Sequence, residues 1–169
     1  NSPQGTGTAG GTSATRLTVF WMRAASGSET APTVLLGSND HVIARIIGVD
    51  GCRTTGNPWD VTSGDVEATD TTTSAIPGLT TTVADCLVVG IITRANDSSA
   101  AEFTDFTNAS LSGVANHLDT GSTAGNGGGY AVCSGGKATA GAVGTWGGGT
   151  LTTASAQGRM SIALTATAA

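Results

Sequence analysis

Charge is what this chain has least of. Only 11% of its 169 residues are charged, and Lys137 is the single lysine. The six arginines, at 16, 23, 45, 53, 94 and 159, are scattered, and the formal net charge is −5. A nucleic-acid surface needs a basic stripe to neutralise phosphates, so no nucleic-acid partner is expected. The same shortage argues against an anionic membrane surface. Apolar runs such as Leu87-Val88-Val89 fall far short of a bilayer span, so no membrane partner is expected either. A basic stretch leading into an apolar one, the pattern of a secretory leader, does not occur in these residues. Glu, Lys, Leu and Arg are too few for a helical bundle or coiled coil. The three cysteines, Cys52, Cys86 and Cys133, form no CxxC pair, which excludes the common structural zinc spacings. Cys86 and Cys133 fall in apolar strand-like stretches and read as small buried hydrophobes, whereas Cys52 lies in a turn and is the most exposed. Their number is odd, so at least one thiol is free or paired between chains; whether any two form a disulfide stays open.

What the chain does have is Thr, Gly, Ala and Ser, 95 residues of 169. Threonine is β-branched and glycine breaks helices, so the balance predicts strands joined by glycine-rich turns. Residues 1–14 are polar and glycine-rich and read as an extended loop or arm. The rest, 15–169, reads as one domain. Thr15 to Ala24 predicts a strand apolar on both faces, with Leu17, Val19 and Trp21 on one side and Phe20 and Met22 on the other. Such a strand is expected to be central and covered on both sides, by the chain or by a neighbour. Further strands are expected at Pro32–Leu36, His41–Val49, Asp85–Arg94, Tyr130–Ala138, Gly149–Ala156 and Arg159–Thr167, the last being the best ladder partner for 15–24. Residues 61–75, Thr-rich and acidic, fit an exposed edge strand. Phe103 to His117 can be a helical turn or a strand, and 119–129 reads as a glycine-rich loop. No stretch keeps a 3.6-residue apolar period over three turns. Seven or eight strands at this spacing predict an all-β, antiparallel β-sandwich of jelly-roll type with little or no helix.

Candidate chemistry is sparse. Only His41 and His117 can serve near-neutral acid–base catalysis as unperturbed groups, and no GxSxG elbow accompanies them, so surface or turn histidines are the expectation. Gly125-Asn126-Gly127-Gly128-Gly129 lacks the trailing Lys-Ser/Thr of a phosphate loop and precedes strand-like YAVCS, so it reads as a turn. Asp65, Glu67 and Asp70, or Asn39 with Asp40, or Asn96 with Asp97, offer oxygens for calcium, but none matches EF-hand spacing. Solvated turn carboxylates are expected there. No metal or cofactor is expected. Asn96-Asp97-Ser98 and Asn108-Ala109-Ser110 match the glycosylation pattern, which matters only in a eukaryotic secretory setting. Trp59, Trp146 and Tyr130, with Asn57 and Asp60 nearby in sequence to Trp59, are the candidate glycan or interface contacts, since exposed aromatics stack on sugars and anchor interfaces. For Trp59 the expectation is a ring that plugs the end of the sandwich. For Trp146, set among glycines that supply little cover, plug and exposed contact are held even.

Several segments resemble phage and prophage virion-associated β-sandwich proteins encoded near head and tail genes. They are Arg16-Leu17-Thr18-Val19-Phe20-Trp21 with Arg23-Ala24-Ala25 and Glu29-Thr30-Ala31-Pro32; Ile46-Ile47-Gly48-Val49 with Asn57-Pro58-Trp59-Asp60; Thr80 to Asp85 leading into Leu87-Val88-Val89; Thr123 to Gly129; and Ser161-Ile162-Ala163-Leu164. The likeness covers about 15–165 and rests on strand-and-turn patterns, not catalytic signatures. It implies a jelly-roll or lectin-like sandwich on a virion, with one or two strands preceding the segment at Thr15, so that native chain is expected upstream of Asn1. Cys86 and Cys133 are not part of that pattern. The expectation is a non-enzymatic structural virion protein, a capsid decoration, head-fibre or tail-appendage subunit, that assembles with copies of itself and other virion proteins on the particle surface. A carbohydrate-binding adhesin module for host glycans, and a secreted hydrolase using His41 or His117, are the rival classes.

Overall fold

The computed structural model describes residues 5–9, 15–33 and 41–167. The chain is all-β and antiparallel, with no helix among the described residues and 51% in strands. Its centre is a five-stranded sheet. Trp59–Thr71 (β3), Ser155–Thr165 (β11), Cys86–Arg94 (β5), Gly128–Lys137 (β8) and Ser112–Ser122 (β7) lie in that spatial order. The numbering leaves room for Gly5–Ala9 (β1), Thr15–Val19 (β2), Leu79–Thr81 (β4), Phe106–Thr107 (β6), Gly141–Val143 (β9) and Gly147–Gly148 (β10). These six pair as β1 with β2, β4 with β9 and β6 with β10. One five-stranded sheet and three two-stranded ones thus stand where a jelly roll has two four-stranded sheets.

The strongest strand of the sequence occupies the middle of the sheet. β5 alternates Val88, Gly90 and Ile92 with Leu87, Val89 and Ile91, and both sets meet apolar neighbours. On the first face, Val88 and Ile92 pack with Cys133, Ala163, Ile76, Phe106 and Trp146. The loops and short strands of 74–81, 103–111 and 141–151 make this cover. On the second face, Val89 and Ile91 pack with Val132, Met160, Ile162 and Leu17 of β2. The β1–β2 hairpin lies over that face and is not part of the sheet.

Trp146 is the plug of the first face. It is 1% exposed, and its indole N–H donates to Ser161 Oγ at 3.2 Å. Small residues make room for the ring. A methyl added at Gly90 would lie 2.8 Å from Cys133 Sγ and 3.2 Å from both Ile76 Cδ1 and Trp146 Cε2. The flanking glycines do not leave Trp146 bare, because cover comes from the sheet beneath it and not from its sequence neighbours.

Several sequence expectations change. The strand at 15–24 stops at Val19 and sits in a hairpin, with residues 5–9 as its ladder partner. The polar arm can pair because a ladder needs backbone groups and not an apolar face. Arg159–Thr167 is not that partner; it lies within β11 between β3 and β5. His41–Val49 is not a strand: it is exposed throughout, with no ladder among the described residues. Residues 32–33 are not in a strand, and 34–36 lie outside the described residues. Gly149–Ala156 is mostly loop, entering β11 only at Ser155. The glycine-rich loop shrinks to 123–127, where Gly125 and Gly127 take φ of +62° and +65° and close the β7–β8 turn. Phe103–His117 holds no helix: Phe106–Thr107 and the chain from Ser112 on are strand, with a turn at 108–111 between them, and the edge strand expected at 61–75 runs from Trp59 only to Thr71.

Two substitutions test the first-face core by urea denaturation. Trp146→Ala is expected to cost about 3–5 kcal/mol, as a buried aromatic truncation does. Gly90→Ala is expected to cost about 1–3 kcal/mol by overpacking. A loss below about 1 kcal/mol for Trp146→Ala contradicts the plug assignment.

Candidate functional site

The candidate contact residues do not converge on one cleft. Trp146 belongs to the first face and is sealed there. Trp59 and Tyr130 are half-buried on the second face. The register runs Trp59–Leu164–Leu87–Gly136, and Tyr130 lies six residues from Gly136 along β8. They are therefore about 20 Å apart along the sheet, at ~3.3 Å per residue. Trp59 meets Trp21 edge-on, ring centroids 5.3 Å apart at 72°, and the Arg23 guanidinium sits 5.8 Å from the Trp21 ring centre. Arg23 also donates to the carbonyls of Arg53 and Gly56 at 3.0 and 3.1 Å. Trp59 thus plugs one end of the second face, and Asn57 beside it is exposed.

Asp60 is already engaged. Its carboxylate accepts from Thr82 Oγ1, from Thr82 N at 2.6 Å and from Val83 N at 3.4 Å. Burial pushes its pKa up, but these hydrogen bonds, with Arg53 nearby, outweigh that and hold the carboxyl below its ordinary range. Asp60 staples the start of β3 to the turn before β5.

A second polar cluster lies at the opposite end of the sheet. Arg94, 1% exposed, donates to the carbonyls of Asn96, Ser98 and Ala100 at 3.0, 3.2 and 2.8 Å. Burial lowers its pKa, against the pull of Glu102 and Asp119. Glu102 accepts from Asn96 Nδ2 and Thr152 Oγ1. A hydrogen bond from Ser98 is the largest cause holding its carboxyl low, opposed by burial and aided by Thr152, Asn96 and Arg94. Asp119 accepts from Phe103 N at 2.7 Å, yet burial raises its carboxyl. The arginine wraps loop 95–102 around itself, and its role is to fix that loop.

The histidines are placed apart. His117 Nε2 lies 2.7 Å from Ser134 Oγ, at a register shift in β7. The side-chain contacts of that pair include no carboxylate among the described residues. His41 lies against Gly125 at the β7–β8 turn, where an added Cβ would fall 1.9 Å from its Cε1. Of the carboxylates weighed for calcium, Asp65 and Glu67 face Arg159 at 3.9 and 3.8 Å, and Asn39 with Asp40 lies outside the described residues. Asn96 and Asn108, the two sequon asparagines, are tied inward to Glu102 and to the Gly144 carbonyl. All three cysteines are free thiols, and burial pushes Cys133 up to about 12. An open trough of about 650 Å³ lies beside Arg53, Asp85 and Thr165–Thr167.

Sequence reasoning missed the segment that stands out most. Val42, Ile43, Ile46, Ile47 and Val49 are all exposed, Ile46 by 74%, together with Phe20 and Met22. Their strand-like alternation was legible; that nothing described in the chain covers them was not. No protein-family model, curated protein or solved structure matches this chain.

A pH prediction follows from Asp60 and Glu102. Both are held below their ordinary values of 3.8 and 4.5, so the stability they contribute is present above that range. It is lost as pH falls through their folded-state values. Thr82→Val should shallow the acid limb of the stability–pH curve while leaving its shape above pH ~6 unchanged. An acid limb identical to wild type would show that the Asp60 staple contributes nothing.

Proposed function

We propose that this protein is a structural subunit of a phage virion, a decoration, head-fibre or tail-appendage protein that works by self-assembly on the particle surface. The observation that carries the reading is the bare apolar segment at 41–50. Its five exposed side chains, Val42, Ile43, Ile46, Ile47 and Val49, leave on the order of 400 Å² of apolar surface in solvent, at roughly 170 Å² for a large side chain fully exposed. That is within the range of the largest patch on an ordinary monomer, and about half of the ~800 Å² each partner contributes to a standard interface. The segment carries one charge between His41 and Asp50, that of Arg45, and interface centres are depleted of charge in the same way. The likeness of the strand-and-turn segments to virion proteins supports the same reading.

A second reading, a host-glycan adhesin, draws on the half-buried Trp21–Trp59 pair and exposed Asn57. It is weakened by Asp60, whose oxygens are already taken by Thr82 and Val83. A hydrolase would need a carboxylate to orient His117, and the contacts of the His117–Ser134 pair supply none among the described residues.

Sedimentation velocity at about 50 μM is expected to show a homo-oligomer. A single monomer boundary there would overturn assembly as the function. Saturable glycan binding lost in Trp59→Ala would favour the adhesin.

A further inference from the structure

Residues 41–50 have the composition of a strand, but among the described residues their backbone makes no hydrogen bond. Their ends are pinned. His41 rests on Gly125, beyond the Arg94 end of the sheet. At the other end Cys52 bridges Ala166, Arg53 N donates to Thr165 O at 2.9 Å, and Thr167 N donates to Gly51 O at 2.7 Å. Thr165 pairs with Cys86, so the two anchors stand at opposite ends of β5. Eleven steps of extended chain reach at most ~36–40 Å, little more than the ~30 Å length of the sheet. The segment therefore runs along the length of the molecule.

The sheet has two outer edges that such a strand could join. β7 is blunted: its register with β8 slips twice, and Gly113 within it takes φ of +57°. Bulges of this kind are how proteins protect an edge from pairing. β3 is not blunted in its middle. From Thr62 to Glu67 it keeps unbroken register with β11, and its outer side has no ladder partner among the described residues. Val66, near the far end of that stretch, is 41% exposed. Asp65 and Glu67 within it, and Asp70 beyond it on the same strand, place three carboxylates along β3 against the one guanidinium of Arg159. The only cation inside the bare segment is Arg45.

We propose that residues 42–49 of one chain add as a strand to the outer edge of β3 in a second copy, an inference that rests on the assembly reading above. Backbone pairing satisfies the bare amides and carbonyls. One side of the added strand covers Val66, and Arg45 meets the acidic edge. Every copy carries both the strand and the edge, so the exchange closes by symmetry with no other partner.

The test uses the full chain with Cys52→Ser throughout. Chains with Ile46→Cys or Ile47→Cys, which sample both faces of the segment, are mixed under mild oxidation with a tagged chain carrying Ser63→Cys or Val66→Cys. A disulfide-linked dimer is expected for at least one combination. Ala115→Cys on β7 serves as the control edge, and cross-linking there in place of β3 overturns the proposal. In parallel, Ile46→Asp is expected to weaken self-association at least tenfold while circular dichroism stays that of the wild type, since this side chain contributes little to the isolated fold. An oligomer indifferent to Ile46→Asp, with no cross-link to β3, overturns the strand exchange and leaves assembly standing. A wild-type monomer overturns both.

Discussion

The ring of Trp146 can reach the centre of the sheet only because the strand beneath it carries Gly90. The segment that brings the indole there carries only the short strands β9 and β10, paired with β4 and β6. The ring adds to that hold, bonded to Ser161 Oγ and hemmed by Ile76 and Cys133. Ser161 Oγ in turn donates to the Pro77 carbonyl at 2.6 Å, so one hydroxyl ties the plug to the turn that carries Ile76. In a chain with 4% aromatic residues a single large side chain has to serve where a richer sequence would use several. The small residues elsewhere then become intelligible, because thin strands let loops approach closely enough to cover them.

The second face is covered differently. It has no equivalent of Trp146 and receives Leu17 from the β1–β2 hairpin, with Trp59 at one end and Tyr130 at the other only half-buried. The chain leaving the hairpin passes the Arg23 clamp on the Arg53 and Gly56 carbonyls, and residues 41–50 then run the length of the molecule without entering a ladder. Apolar surface and unmated backbone in one segment are costly for an isolated subunit. That cost falls away if the surface is a joint, which is why the assembly reading accounts for more of the molecule than a binding cleft does.

The polar groups are organised for holding shape. Asp60 and Glu102 accept from backbone or neighbouring side chains, and Arg94 donates through both terminal guanidinium nitrogens to loop carbonyls. The Asp60 and Arg94 clusters lie at opposite ends of the sheet and pin the turns there. Among the described residues, the His117–Ser134 contact pairs the elements of nucleophilic chemistry without a carboxylate to orient the imidazole.

How much of this was legible in advance can be seen by setting two stretches side by side. Cys86–Arg94 and His41–Val49 both carry β-branched apolar residues, and both read as strands. For the first, the reading held, as did the antiparallel all-β class and the edge strand after Trp59, while the glycine-rich loop expected at 119–129 shortened to a turn at 123–127. Each of these depends on side-chain period or on backbone freedom at glycine, which are local properties. The second stretch failed as a strand within the chain because a strand exists only where a neighbour offers its backbone. Likewise the glycines around Trp146 showed a ring without local cover, and only the packing of distant strands put it in the core. Composition and alternation determined that this chain would form sheets. Tertiary structure decided which of its strand-like segments found partners, because a β-ladder joins residues far apart in sequence and is written in neither segment alone.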